Sequence, residues 1–116
     1  MASILNITGS MVAADGSTLQ INYTISVANP LNLRTGVVLA AGTNTITIPA
    51  NCSVVTISPP PGNVQTLTLK GVAGDTGIPI LATGTTVFMP LFQAATATFV
   101  ITAGALTSGN TIITFE

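Results

Sequence analysis

Residues 19–27 read Leu19-Gln20-Ile21-Asn22-Tyr23-Thr24-Ile25-Ser26-Val27. Apolar residues alternate there with Gln, Asn, Thr and Ser. Successive side chains of a strand point to opposite faces, so a period of two predicts a β-strand with one apolar and one polar side. Asp15-Gly16 ahead of the run marks a turn, and Asn29-Pro30 ends it. The expected arrangement sets the apolar side on a core and leaves the polar side to water or to a neighbour.

The same signature recurs downstream. Ile46 and Ile48 alternate with Thr45 and Thr47 before Pro49 closes the run. Val55 and Ile57 share a face within 53–58, Leu67 and Leu69 within 64–70, and Ala97, Phe99 and Ile101 within 96–102. Shorter apolar runs lie at 36–40, 78–81, 86–92 (broken at Pro90) and 111–115. The stretch Ser58-Pro59-Pro60-Pro61-Gly62-Asn63 lacks three backbone donors and cannot be a central strand; it predicts a stiff loop or sheet edge. No long segment carries a helical period.

Eight or nine short strands, with turn signals about every 8–12 residues, predict an all-β fold. The expected architecture is a single antiparallel β-sandwich of about eight strands, jelly-roll or immunoglobulin-like. The disulfide and Trp of a true immunoglobulin domain are absent from the sequence. The segment 1–17 holds Gly, Ser and two Met in no clear pattern and is expected to be a flexible arm that orders on a partner, with 18–116 as the β-sandwich domain.

Composition narrows function. The 116 residues include five charges, Asp15, Arg34, Lys70, Asp75 and Glu116, and no His. Average globular chains are about 25% charged, so 4% is a severe deficit. Two cations make no basic stripe for phosphates, which argues against nucleic acid as a partner. One Cys and no His cannot build an ordinary zinc site, and no metal or cofactor is expected. Polarity is carried instead by 20 Thr, 7 Ser and 8 Asn. Thr suits strands because its branched Cβ sits well on a pleated surface.

The start, 1–17, has neither the basic region nor the apolar run of a signal peptide, and no run reaches the ~20 apolar residues of a spanning helix. No membrane partner is expected, and runs shorter than about 9–11 residues argue against a transmembrane barrel.

Single motifs favour structural explanations. Cys52, with no His to activate it, is expected to be a small buried apolar residue in a strand. The triplets beginning at Asn6, Asn22 and Asn51 are chance matches to a glycan acceptor in a Thr-rich chain. Asp75-Thr76-Gly77 matches the catalytic triplet of retroviral-type aspartic proteases, dimers of β-rich chains near this length in which paired carboxylates share a proton. In that family the triplet follows an apolar strand near the N-terminus; here Ala73-Gly74 precedes it, and a turn role for Asp75 is expected. Gly71–Gly77 lacks the Gly-Lys-Ser/Thr ending of a phosphate loop. The Thr-x-Thr pairs at 43/45/47, 66/68 and 96/98 are unequally spaced, unlike the ladders of ice-binding solenoids. Tyr23, the one Tyr, falls on the apolar side of its strand, which weakens a sugar-stacking role. No catalytic, cofactor-binding or metal residue is assigned.

Ile46-Thr47-Ile48-Pro49, then Val55-Thr56-Ile57-Ser58-Pro59-Pro60, then Leu67 through Ile78 with its glycine-rich centre, resemble small β-sandwich virion proteins of tailed bacteriophages over about residues 44–116. The resemblance implies a non-enzymatic structural virion protein. It would be a capsid decoration or cement protein that stabilises the head by binding the major capsid protein lattice. The alternatives are a tail or spike protein or an adhesive carbohydrate-binding β-module, with the protease more distant. A chain with so few charges is poorly defended against association. That deficit predicts a homo-oligomer, a trimer by expectation, fixed to a larger assembly, which the resemblance implies is a virion assembled in the host cytoplasm.

Overall fold

A computed structural model describes residues 3–28, 31, 33–80, 86–90, 95–105, 107 and 109–116. It is all-β, with antiparallel pairing throughout and no helix among the described residues. The strands are β1 (Ser3–Val12), β2 (Thr18–Val27), β3 (Leu33–Val37), β4 (Gly42–Ile48), β5 (Val54–Ser58), β6 (Leu67–Lys70), β7 (Ile78–Ile80), β8 (Val87–Pro90), β9 (Ala97–Ala103) and β10 (Thr111–Phe115). Where a single sandwich of about eight strands was expected, the described residues form ten strands in three sheets. The chain divides into two compact units, Met1–Pro30 and Leu31–Glu116.

Met1–Pro30 is a β-hairpin. β1 and β2 pair without a break from Ser3↔Val27 to Val12↔Thr18. Ala13 N–H donates to Ser17 O and Gly16 N–H to Ala13 O, closing the loop at the tip. Gly16 sits at φ +86°, a left-handed conformation that glycine adopts freely. Within the segment 1–17, expected as an arm, the described residues 3–17 form a strand and a turn, and the division between the two compact units falls after residue 30. Gly9 breaks the apolar series of β1, and Ile4 and Val12 fall on its polar side, so the period of two is hard to see until β2 supplies a partner. The apolar side of β2, expected to enter a core, leaves Leu19 57% and Ile21 43% exposed.

Leu31–Glu116 holds two four-stranded sheets, ordered β3-β10-β5-β8 and β4-β9-β6-β7. Its pairings are nested: β3 with β10, β4 with β9, β5 with β8, β6 with β7. The unit is one long antiparallel ribbon whose halves run out from the β6–β7 end, and the contacts β5–β10 and β6–β9 fold that ribbon on itself. One hydrophobic cluster takes residues from both sheets. Val55, Ile57, Ile113 and Phe115 come from the first, and Ile46, Ile48, Leu67, Phe99 and Ile101 from the second. These are the alternating apolar positions of the sequence, with Thr45 and Thr47 exposed between Ile46 and Ile48.

One expected strand is shifted. The run 36–40 is paired only at Gly36 and Val37, and Leu39 instead enters the core from a loop, its N–H donating to Thr107 Oγ1 (3.0 Å). The expected run 86–92 contains β8, and its residues 91 and 92 lie outside the described residues. The proline stretch is a loop inside this unit. Pro59 and Pro60 are buried there, and Asn63 is fully buried with its amide bridging Gln65 at 3.0 and 3.2 Å.

Replacing Ile57 by Ala removes a fully buried side chain from this core and should cost about 2–5 kcal/mol. Thr111 is also fully buried, but its Oγ1 has no hydrogen-bond partner among the described residues. Thr111→Val removes that desolvated hydroxyl at nearly equal volume and should stabilise by about 1 kcal/mol. Urea unfolding of the two variants checks both signs; a loss at Thr111→Val would mean the hydroxyl is satisfied in solution.

Candidate functional site

Asp75, the protease-like residue, is a turn residue. Its N–H donates to Val72 O (3.1 Å), and its Oδ2 accepts from Val72 N–H (3.0 Å). Gly77 of the same triplet is at φ +78°, and a Cβ there would sit 2.6 Å from the side chains of Lys70 and Thr68. Glycine is needed at Gly77 to bring β7 back beside β6. The triplet thus has a complete structural explanation.

Cys52 is 1% exposed but lies just before β5 and not in a strand, with Sγ 3.2 Å from Val54 O. Burial pushes its thiol up, so the nucleophilic thiolate is disfavoured. Asn51, from the third glycan-like triplet, is exposed and holds a left-handed turn at φ +62°, a conformation Asn tolerates.

The Thr pairs meet in part. Register places Thr43, Thr102 and Thr68 in one row across β4, β9 and β6, with Thr47 opposite Thr98. Thr66 and Thr96 lie outside the strands, so the hydroxyl array is short. Val100 and Lys70 interrupt it.

A concave site of about 290 Å³ opens within Leu31–Glu116, lined by Leu33, Arg34 and Thr35 of β3, Thr47 of β4, Pro49 just after it, and Phe115 of β10. β3 and β4 are edge strands of different sheets, so this is the open seam between them. Leu33 and Thr35 lie on the core side of β3, opposite Phe115 and Ile113, yet both are exposed. Arg34 is the one charged residue among these lining groups.

The strongest feature is the hairpin. Directly opposed residues of an antiparallel pair share a face. Ile7, Gly9 and Met11 of β1 therefore lie on the same side as Leu19, Ile21, Ile25 and Val27 of β2. The other side carries Asn6, Thr8 and Ser10 opposite Thr24, Asn22 and Gln20, with Thr24 Oγ1 donating to Asn6 Oδ1 (3.0 Å). Exposure along the apolar side rises toward the tip: Val27 is buried, Ile7 and Ile25 are half-buried, and Ile21, Met11 and Leu19 are exposed. The Tyr23 side chain, expected on this side, lies outside the described residues. The β2 half of this surface was legible as strict alternation; the β1 half needed the pairing register.

Asp15 is the single charge of Met1–Pro30. It accepts from Ser17 Oγ (2.6 Å) and Ser17 N–H (2.9 Å) at the tip. These hydrogen bonds, the hydroxyl first, hold its carboxyl below the usual value. A lowered folded pKa stabilises above the unfolded value and is lost as pH falls through the folded one. NMR titration should give an Asp15 midpoint below the usual aspartate range, and Ser17→Ala should raise it; equal midpoints would refute this turn. Comparison with protein-family models, with curated proteins and with solved structures finds no match for this chain.

Proposed function

We propose that this is a non-enzymatic structural protein of a phage virion, a decoration or cement subunit that binds the major capsid protein lattice and associates with copies of itself. In this reading Leu31–Glu116 is a jelly-roll sandwich. Nested pairing of first strand with last in two four-stranded sheets supports that choice over an immunoglobulin-like one. Jelly rolls recur in viral capsid proteins and in lectins, so the fold alone does not select the role.

The observation that carries the reading is the hairpin. Two-stranded ribbons are marginal by themselves in water. This one runs ten residues a strand, with an apolar side that is exposed toward the tip. A near-absence of charge over the whole chain fits a subunit whose neighbours, rather than water alone, cover it.

A second reading, an adhesive carbohydrate-binding module of a tail or spike, is favoured by the seam site. An apolar floor with an arginine and two threonines at its rim has the mixed lining of a small-ligand pocket.

Purified protein mixed with heads that lack it, from the virus whose genome carries this reading frame, should co-sediment at a saturating, fixed stoichiometry and raise the temperature at which the heads open. Absence of co-sedimentation at excess protein would overturn the decoration role. Glycan-array binding that Arg34→Ala abolishes would replace it with the second reading.

A further inference from the structure

We infer that three copies of this chain join their Met1–Pro30 hairpins edge to edge into a closed six-stranded antiparallel β-barrel, with the apolar sides of the ribbons inside. The inference rests on reading the hairpin as an association surface and goes further, by naming its occupant and its geometry.

Two defects of the isolated ribbon have to be relieved together. The first is the exposed apolar side. The second is the pair of open edges: among the described residues β1 and β2 each have one strand neighbour, so the outer edge of each offers N–H and C=O groups to a further strand. Natural sheets guard such edges with charge, proline or a bulge. Ser3–Val12 and Thr18–Val27 contain no charged residue and no proline, and their register runs unbroken over ten pairs. Both edges are therefore competent to accept another strand.

Copies of the same chain satisfy both needs at once. Three ribbons related by a threefold axis all point the same way. Their strands then alternate up and down around the ring, so β2 of one copy meets β1 of the next antiparallel, the pairing the hairpin already uses. Closure abolishes every edge and turns one face of each ribbon inward. The alternation supplies that face: Ile7, Met11, Leu19, Ile21 and Ile25 inside, Asn6, Thr8, Gln20, Asn22 and Thr24 outside. Small barrels have narrow interiors filled by side chains. Gly9 lies on the inward side opposite Ile21, and a Cβ built on it meets nothing within 4 Å, so it leaves space at mid-ribbon for side chains of the other copies.

A simple pair of ribbons stacked face to face does less. Ten residues at ~3.4 Å each, two strands wide, present a face of roughly 300 Å². Stable interfaces bury about 800 Å² per partner. Stacking would also leave all four edges open. Charge does not direct the ribbon to a foreign partner, because Asp15 sits in the tip loop and is bonded to Ser17.

The test uses the full chain, free of capsids, so its failure and failure of the lattice role are separable. Light scattering at micromolar concentration should give about three times the 11.6 kDa chain mass. Amide hydrogen exchange should show protection at nearly every residue of Thr18–Val27, where a lone ribbon would protect alternate residues. Ile21→Asp should reduce the mass to that of one chain, while Asn22→Asp, on the outer side, leaves it threefold. Gly9→Leu overfills the barrel interior and should also lower the mass; it meets no obstacle in the single hairpin, so it serves if Ile21→Asp misfolds. A monomer or dimer, alternate-residue exchange in a trimer, or a trimer unaffected by both inward substitutions would overturn the inference.

Discussion

The sheets of Leu31–Glu116 are held in register by two consecutive strands, β9 and β10. Each is flanked on both sides, β9 by β4 and β6, β10 by β3 and β5. Between them they bring Phe99, Ile101, Ala103, Ile113 and Phe115 into one core. Side chains alternate with a period of two, so a slip of one residue in β10 would put Ile112 and Thr114 inside and expel Ile113 and Phe115. The same slip would break the Thr56–Thr114 hydroxyl contact on the outer face of β5 and β10. Because β9 and β10 lie late in the chain, their pairings with β4 and β3 span most of this unit's length. Such long-range closure predisposes to slow folding.

A chain with five charges still has to satisfy its buried polar groups, and apart from the Thr111 hydroxyl it uses amides and hydroxyls to do so. Asn44 accepts from Ala40 N–H and donates to the carbonyls of Ala40, Gly42 and Ile101, which fastens the entry of β4 to β9. Thr107 exchanges hydrogen bonds with Leu39 through both backbone and hydroxyl, and Asn63 closes the proline loop. Neutral groups of this kind carry a smaller desolvation cost on burial than ions. The charge deficit is therefore compatible with a well-determined core, and its consequences fall on the surface.

What was legible in the sequence follows the same division. Positions where one side of a strand meets the core, such as Ile46, Ile48, Val55, Ile57, Phe99 and Ile101, were readable because burial enforces strict alternation. Leu39 was not: it reaches the core from a loop, where no period applies. The strand Ser3–Val12 was hidden because Gly9 removes one apolar position and Ile4 and Val12 add two on the opposite side. Pairing with β2, a contact across the tip loop, makes it a strand, and no local propensity reports that. The seam at Leu33, Arg34 and Thr35 was equally unreadable, because it depends on β3 and β4 being edges of different sheets.

The near-absence of charge has opposite meanings in the two units. In Leu31–Glu116 a closed set of nested pairs leaves few long edges, and Arg34 sits on the edge strand β3, while Lys70 ends the inner strand β6. In Met1–Pro30 nothing closes. The hairpin has full-length strands, two outer edges and an apolar side, and its one carboxylate is spent on its own turn. Evolution ordinarily disarms such an edge with a lysine, a proline or a bulge. Asn6, Thr8, Gln20 and Asn22 would all accept a lysine on the polar side without disturbing the apolar one. Retaining uncharged residues at every one of them leaves the edges free to pair, as the proposed barrel requires.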